Sequence, residues 1–454
     1  MPARQQAQGA RPGSRQPDSP PISVWMSARA TDRHRRRSGG GGTRHVPVRE
    51  HAFAVSLAVG ALLVISWLGL HASTRPDWET EARPAVDALV AGHLLRFLQL
   101  APAYGGSLVL RAPFMMITKL WHGGDLAIYA ASAAPCLAAT GALGVWLSAR
   151  MRARGCSMLA GTVALLLCVA NPLTLPALQL GHPEEILGAV LCTAAVLCAL
   201  NDRPTWAAVL LGLAIPNKEW AVLAVGPVLV ALPRARVRTL LIAGAIAGAV
   251  VAPLVVVGSG GFVAQATATG LNTGPTFQPW QIWWFFGSYG HAAHGVVDAY
   301  RTAPGWIGGL GHTLVIAIMP PLAALYAWLR RRGVGRRPHD VLLLLALLLA
   351  LRCVLDPWDI SYYSLPFLFA LVTWEALSFE RPPVLTLAAS LVAWLIFRET
   401  SSAALGLSLD LQALVFAIVS IPSIATLAAA LYAPGVGRRL APRSQGHAAV
   451  APAL

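Results

Sequence analysis

The chain has 454 residues, of which 56% are hydrophobic and only 12% charged, with a mean hydropathy of +0.59. Soluble globular proteins carry about a quarter charged residues, so a soluble fold is excluded. The net charge of +15 sits in short basic groups between apolar blocks and in the two tails, which is the pattern of membrane-topology signals and not of a nucleic-acid surface.

The apolar residues form many blocks of about 15 to 23, and the longer ones suffice for a helix to cross a hydrocarbon core about 30 Å thick. The alternating segments of about ten residues that mark a membrane β-barrel are absent. The expected fold is therefore all-α, a polytopic transmembrane helical protein with about 11–12 membrane segments. Two lysines against a large arginine excess suggest a GC-rich bacterial genome, and with it the bacterial inner membrane.

Residues 1–50 are rich in Gln, Pro, Ser, Gly and Arg and cannot bury enough surface to fold, so a disordered basic cytoplasmic tail is expected there. No apolar core follows a short basic start, so this tail is not a secretory signal, and Met26 is an alternative start. The polytopic domain covers 51–433, with outer loops at about 73–124, 178–185, 258–305, 356–363 and 398–410, and 434–454 form a second cytoplasmic tail. The first span runs over about 52–71. Within the loop after it, residues 107–121 carry Arg111, Pro113 and Lys119 among apolar neighbours and read as an interfacial or re-entrant helix.

Further spans are expected at about 125–148, 157–177 and 186–200, with inside turns at Arg150, Arg152 and Arg154 and again at Asn201-Asp202-Arg203-Pro204. Residues 205–232 then go out and back in two arms of about 11 to 14 residues, roughly 17 to 21 Å of helix. That is shorter than the membrane core. The bend Pro216-Asn217-Lys218-Glu219 is accordingly expected at membrane depth inside the protein, or in a locally thinned outer half. Spans at about 237–257, 306–329, 340–355, 364–378, 383–397 and 411–432 complete the count. Every inferred inside turn contains arginine, which places both termini in the cytoplasm.

The six cysteines lie in or beside apolar blocks without metal-ligand spacing and read as small apolar fillers. His291 and His294 stand one helical turn apart without a third ligand nearby, so no metal site is expected.

The polar residues that carry chemistry gather in the outer loops. Asp77, Glu79, Glu81 and Asp87 place four carboxylates within eleven residues, more than a solvated connector needs, although Pro84 starting a helix would account for acids in its first turn. His182, Glu184 and Glu185 open the span after Gly181, where capping and a functional role compete and the histidine titrates near neutrality. Lys218 needs an anion if it is buried; Glu219 points differently on a helix, so a distant carboxylate or a ligand phosphate is the expected partner. Arg352 precedes Asp356 by four residues, which fits a plain ion pair or an arginine aimed at a phosphate and oriented by the aspartate. Tyr362 and Tyr363 read as interface anchors, as does the uncharged aromatic run Trp280, Trp283, Trp284, Phe285 and Phe286 in the long loop, which would also suit a polyisoprenoid tail.

The pattern resembles the GT-C class of integral-membrane glycosyltransferases, and within it the actinobacterial mannosyltransferase-like proteins of glycosyltransferase family 87. The likeness covers about residues 52–432 and rests on the carboxylate-bearing first loop followed by ALVAG, then AYGGSLVLRAPF, the stretch from GHPEEILGAV to LAIPNKEWAVL, and DPWDISYYSLPF. It departs from the family in the first loop, where Asp77, Glu79 and Glu81 compete for the place of one aspartate; spacing back from Gly92 favours Glu81 or Glu79 over Asp77. The resemblance implies inverting transfer of a mannose-like hexose from a polyprenyl-phosphate sugar to an extracytoplasmic lipid or glycan acceptor. Glu81, Glu79 or Asp77 would be the catalytic base. Lys218, Arg352, Arg96 or Arg111 would receive the departing phosphate, with His182, Glu184, Glu185 and Asp356 as further binding residues. No cofactor is implied, and the partners are the donor, the acceptor and membrane lipids. The alternative is a carrier or flippase for a lipid-linked saccharide or small solute, which usually shows repeated halves with matching broken helices; one broken pair, at 205–232, is present without a counterpart. An assembly scaffold without catalysis is a third reading.

Overall fold

The computed structural model describes residues 47–71, 75–271, 276–289, 301–332, 337–357, 359–401 and 405–433. The helices of the first half are α1 (Val48–Leu70), α2 (Arg83–Val90), α3 (Leu94–Leu100), α4 (Gly105–Ile117), α5 (Asp125–Ala153), α6 (Met158–Val169), α7 (Thr174–Leu180), α8 (Pro183–Leu200), α9 (Pro204–Asn217) and α10 (Val225–Ala231). They are followed by α11 (Arg236–Leu271), α12 (Gly305–Arg331), α13 (Asp340–Leu355), α14 (Leu365–Ser378), α15 (Val384–Trp394) and α16 (Leu409–Tyr432). A π-helical turn, Trp78–Ala82, leads into α2, and 3-10 turns occupy Glu219–Ala224 and Ser361–Ser364. The first outer loop, expected as a polar stretch, is thus largely helical.

Seven helical segments among the described residues are long and apolar enough to cross a membrane: Val48–Leu70, Asp125–Ala153, Met158–Leu180, Pro183–Leu200, Arg236–Gly258, Thr313–Arg331 and Leu409–Tyr432. The chain is an all-α helical protein of the polytopic membrane kind. The other expected segments exist as helices of 11 to 16 residues, namely α9, α13, α14 and α15, with the arm Glu219–Ala231 beside α9. Packing accounts for two of the short ones. In α13 every residue from Val341 to Leu349 is buried, so this helix is enclosed on all sides by protein, and α14 is buried almost throughout.

The long helices differ in how far they are enclosed. The apolar window of α8 is 72% buried, against 17% for α11 and 11% for α16. α1 shows how such a peripheral helix divides its faces: small Ala54, Ala58 and Gly69 turn inward, while Val59, Leu63 and Trp67 are exposed. Small residues make up most of the inward face, with Ile65 and Leu70 beside them, as suits a helix that packs closely on protein and meets hydrocarbon elsewhere. A Cβ on Gly69 would come within 2.6 Å of the Leu178 side chain, so glycine there permits the contact of α1 with α7.

The arginine-bearing turns come together at one end of the bundle. Arg152, at the end of α5, forms a two-pronged pair with Glu50 near the start of α1, at 2.8 and 2.9 Å. Arg154 donates to the carbonyls of Ala376 and Leu377 at the end of α14, Arg337 donates to Ser378 O at 2.8 Å, and Arg330 reaches Val230 O at 3.3 Å. These groups sit at helix C-termini, where positive charge meets carbonyls without intrahelical partners.

Two expectations change in the second half. α11 continues to Leu271, past residue 258 where the long outer loop was expected to begin. Glycines such as Gly260 and Gly261 weaken a helix by only about 1 kcal/mol each, and no proline follows before Pro275. The loop itself holds a three-stranded antiparallel sheet in the order β1-β3-β2, made of β1 (Thr276–Phe277), β2 (Ser288–Tyr289) and β3 (Arg301–Thr302). Its aromatic run is partly drawn inward. Trp284 is buried and donates from Nε1 to Asp410 Oδ1 at 2.8 Å, and Arg301 pairs with the same carboxylate at 2.7 Å, which ties the loop to the first turn of α16. His291, His294, the N-terminal tail to residue 46 and the C-terminal tail from residue 434 lie outside the described residues.

Candidate functional site

At the opposite end of α13 from the arginine turns, the helices deliver charged side chains into the protein interior. Gly181 ends α7 with a φ of +109°, a conformation that suits glycine, and a Cβ there would meet the Trp78 backbone nitrogen at 2.5 Å. This close approach brings the first outer loop onto the start of α8. Pro183 occupies the first helical turn, where its missing N–H is harmless, and Glu184 and Glu185 follow beside the positive end of the helix.

Both glutamates are fully buried. Glu184 Oε2 accepts from Arg111 of α4 at 3.2 Å, and its Oε1 lies 2.6 Å from His182 Nδ1 and 3.5 Å from Lys218 Nζ. Glu185 faces Lys218 Nζ at 3.4 Å through Oε1 and Arg352 Nη1 at 3.7 Å through Oε2. The sequence expectation that Lys218 pairs with a distant carboxylate is met by these two groups. Lys218 itself interrupts the helix: its backbone is extended (φ −154°, ψ 133°) between α9 and the 3-10 turn, and Pro216 and Asn217 close α9 just before it. Asn217 holds the bend in place, donating to Glu184 O at 2.8 Å and accepting from Ser107 Oγ at 2.9 Å.

The cations are not equivalent. Arg111 also donates to Ser132 Oγ at 2.8 Å and to Ser107 O at 3.3 Å, so its guanidinium is engaged on several sides and acts as a clamp on Glu184. Lys218 and Arg352 stand off from Glu185 at distances beyond the 2.7 to 2.9 Å of a close charge-assisted bond, and neither Glu185 oxygen nor Arg352 Nη1 has a hydrogen-bond partner among the described residues. Their donors are thus incompletely engaged. Aromatic faces complete the enclosure, with Lys218 Nζ 4.7 Å from the Tyr104 ring centre and the Arg352 guanidinium 4.2 Å from that of Tyr363 and 5.1 Å from that of Trp220. Tyr362 and Tyr363, expected at the membrane interface, are instead turned into the protein: Tyr362 is buried with its ring 5.3 Å from His182. Asp356 is buried next to Arg352, its N–H donating to Arg352 O at 2.8 Å.

His182 links the buried charges to the surface. Its Nε2 lies 3.1 Å from Asp77 Oδ2, and the Asp77 side chain remains 35% exposed. Burial acts to lower the pKa of the imidazole, but the Glu184 charge and the hydrogen bonds with Asp77 and Glu184 outweigh it and bring it up to about 9, so the ring is an imidazolium at neutral pH. Of the other first-loop acids, Glu79 is exposed and accepts only a long 3.4 Å bond from Arg75 N, Glu81 is exposed, and Asp87 pairs with Arg83 at 3.6 Å. The structure therefore joins Asp77, His182, Glu184, Glu185, Arg111, Lys218 and Arg352 into one cluster and leaves Glu79 and Glu81 outside its ion pairs. Arg96 is exposed on α3.

The π-helical turn explains the order among the three acids. α-Helical spacing puts Asp77 and Glu81 on one face, but the turn Trp78–Ala82 closes with the wider bond from Arg83 N to Trp78 O, which displaces the later residue from the face of the earlier. Tyr104 and Ser107 were not singled out from the sequence. Asp359 was not either: it is fully buried on the turn after α13, and the repeat Asp-Pro-Trp-Asp was its only signal.

Among the described residues no group of three or more His, Cys, Asp or Glu side chains is arranged to hold a metal ion. No protein-family model matches the chain, and no curated protein matches it.

Proposed function

We propose that the chain is an inverting membrane glycosyltransferase that takes a hexose from a polyprenyl-phosphate donor and passes it to a lipid or glycan acceptor outside a bacterial inner membrane. The likeness to family 87 rests on the sequence patterns. The observation that carries the reading is the pairing of a half-exposed carboxylate, Asp77, with His182 at the mouth of a buried cluster whose Lys218 and Arg352 donors are incompletely engaged. Asp77 takes the proton of the acceptor hydroxyl as its oxygen attacks the anomeric carbon. The bond from that carbon to the phosphate oxygen breaks on the opposite face, and the departing phosphate gathers charge beside Lys218 and Arg352. His182 positions the Asp77 carboxylate through its Nε2.

In this reading the arginine-bearing end of the bundle is cytoplasmic, both termini lie on that side, and the charge cluster faces outward. The test is transfer by membranes containing the protein, measured with a panel of labelled polyprenyl-phosphate sugars against membranes without it. Transfer that Asp77→Asn abolishes supports the reading; no transfer from any donor, at normal protein levels, rejects it.

One observation favours a second reading, a carrier for a lipid-linked saccharide: the helix broken at Lys218, deep in the protein, resembles the interrupted helices that transporters use at their binding sites. Uptake of a labelled lipid-linked sugar into sealed vesicles with its glycosidic bond intact would decide for it.

A further inference from the structure

A cleft of about 110 Å3 lies between α13, α14, α15 and α16, and its walls include Val354, Phe367, Val392, Ile396, Phe397 and Phe416 and none of the paired residues of the charge cluster. One acid stands in it. Asp359 lines the cleft with 0% exposure, and apart from the neighbouring Ile360 N–H its carboxyl oxygens have no hydrogen-bond partner among the described residues. The other polar groups on the walls are the hydroxyls of Ser364, Ser420 and Ser423 and the Cys353 thiol, which donates to Tyr363 O at 3.1 Å.

An ionised carboxylate left unpaired in such a place is strongly disfavoured, and the group keeps its proton instead. Burial first, and then the charge of Asp356, hold the Asp359 carboxyl well above the usual range, with Arg352 opposing in part. A protonated carboxyl is both a donor and an acceptor, and here its O–H, with the acceptor capacity that the Ile360 N–H leaves, can meet a ligand. The matching head is neutral and has the same double capacity, which describes a hydroxyl. An ammonium would need the ionised acid, and an anionic head would meet Asp356. The apolar walls call for hydrocarbon behind that head, and the cleft takes the first few methylenes of one chain. α16 forms one wall and is the least buried of the spanning helices, with Ile418 and Ile421 exposed on it, so the cleft is within reach of the bilayer.

We propose that this cleft binds a single-chain lipid alcohol, its hydroxyl hydrogen-bonded to Asp359 and its chain between α15 and α16. The site is independent of the transfer reaction proposed above.

The test uses the full chain in nanodiscs and a dodecanol analogue with a photoreactive diazirine in mid-chain, with labelled peptides mapped by mass spectrometry. Labelling is expected to concentrate on residues 389–397 and 416–427. Unlabelled dodecanol should compete about tenfold better than dodecylamine, dodecanoate or the two-chain alcohol dioctanoylglycerol, the factor expected of one buried hydrogen bond and a fitting chain. Ala393→Phe, which fills the cleft, and Asp359→Leu should each remove the concentrated labelling, whereas Asp359→Asn, whose amide both donates and accepts, should keep most of it. Should Asp359→Leu fail to accumulate, Ala393→Phe and the competition series decide alone. Labelling spread evenly over lipid-facing helices and indifferent to Ala393→Phe overturns the proposal in favour of bulk partition. Best competition by dodecylamine, with loss in Asp359→Asn, overturns it in favour of a cation site.

Discussion

His182 sits between two carboxylates, Glu184 inside the protein and Asp77 at its edge, with the Lys218 ammonium as the opposing charge nearby. Because only Asp77 of the first-loop acids touches this chain of charge, Asp77→Asn should lower kcat by about 10² to 10⁴, the usual worth of a general base. Glu79→Gln and Glu81→Gln should leave it within severalfold at equal membrane levels. A silent Glu81→Gln enzyme would transfer the role of base to that residue. The histidine makes a separate prediction about pH. Its folded value is raised from 6.5 to about 9, so the stabilisation it supplies is complete below about 6.5 and is lost as pH rises through about 9. Transfer should fall along an alkaline limb near pH 9, and His182→Gln should remove that limb; an unchanged limb in the variant would assign it to another group.

At the scale of elements, the site depends on how closely α4, α8 and α9 approach one another. Gly106 of α4 lies so near Pro216 of α9 that a Cβ would run into the Pro216 carbonyl, which is backbone and cannot swing aside. Gly106→Ala should therefore separate the two helices, loosen the bond from Ser107 to Asn217, and lower the thermal midpoint together with activity. Gly60→Ala is the control, since nothing stands within 4 Å of the added atom on α1, and there the better helix propensity should stabilise by up to about 1 kcal/mol. Lys218 tests the same junction through charge. Removing one partner of a buried ion pair typically costs about 3 to 5 kcal/mol, so Lys218→Met should reduce accumulation in the membrane and raise the donor KM of the protein that remains. Adding Glu185→Gln removes the stranded charge and should restore accumulation without restoring the KM. Recovery of both would make Lys218 a purely structural cation.

For the whole molecule, the placement of arginines at one end of the bundle and of the cluster at the other predicts sidedness. A cysteine at Asp87, exposed on α2, should react with an impermeant thiol reagent in intact cells, and one at Arg332, exposed after α12, should react only once the membrane is opened. The native cysteines give little background, since five of the six are buried and Cys198 is partly so. Labelling of the Arg332 position alone would invert the topology.

The sequence by itself determined that the chain is helical and membrane-spanning, since blocks of apolar residues of this length leave the backbone no other way to satisfy its hydrogen bonds in hydrocarbon. It also marked several helix boundaries: Pro183 and Pro204 begin helices, and the bend at Pro216 to Glu219 ends one. What it left undecided is which apolar blocks meet lipid and which meet protein. The leucines of α13 and those of α1 read alike because hydropathy does not distinguish a side chain packed on protein from one in an acyl chain. Only the tertiary structure decided that Asp77 and not Glu81 faces His182, because a π-helical turn shifts the phase that spacing assumes. It alone placed Glu184 and Glu185 among Arg111, Lys218 and Arg352, residues as far as 241 positions apart, whose meeting depends on how helices pack and not on any local pattern.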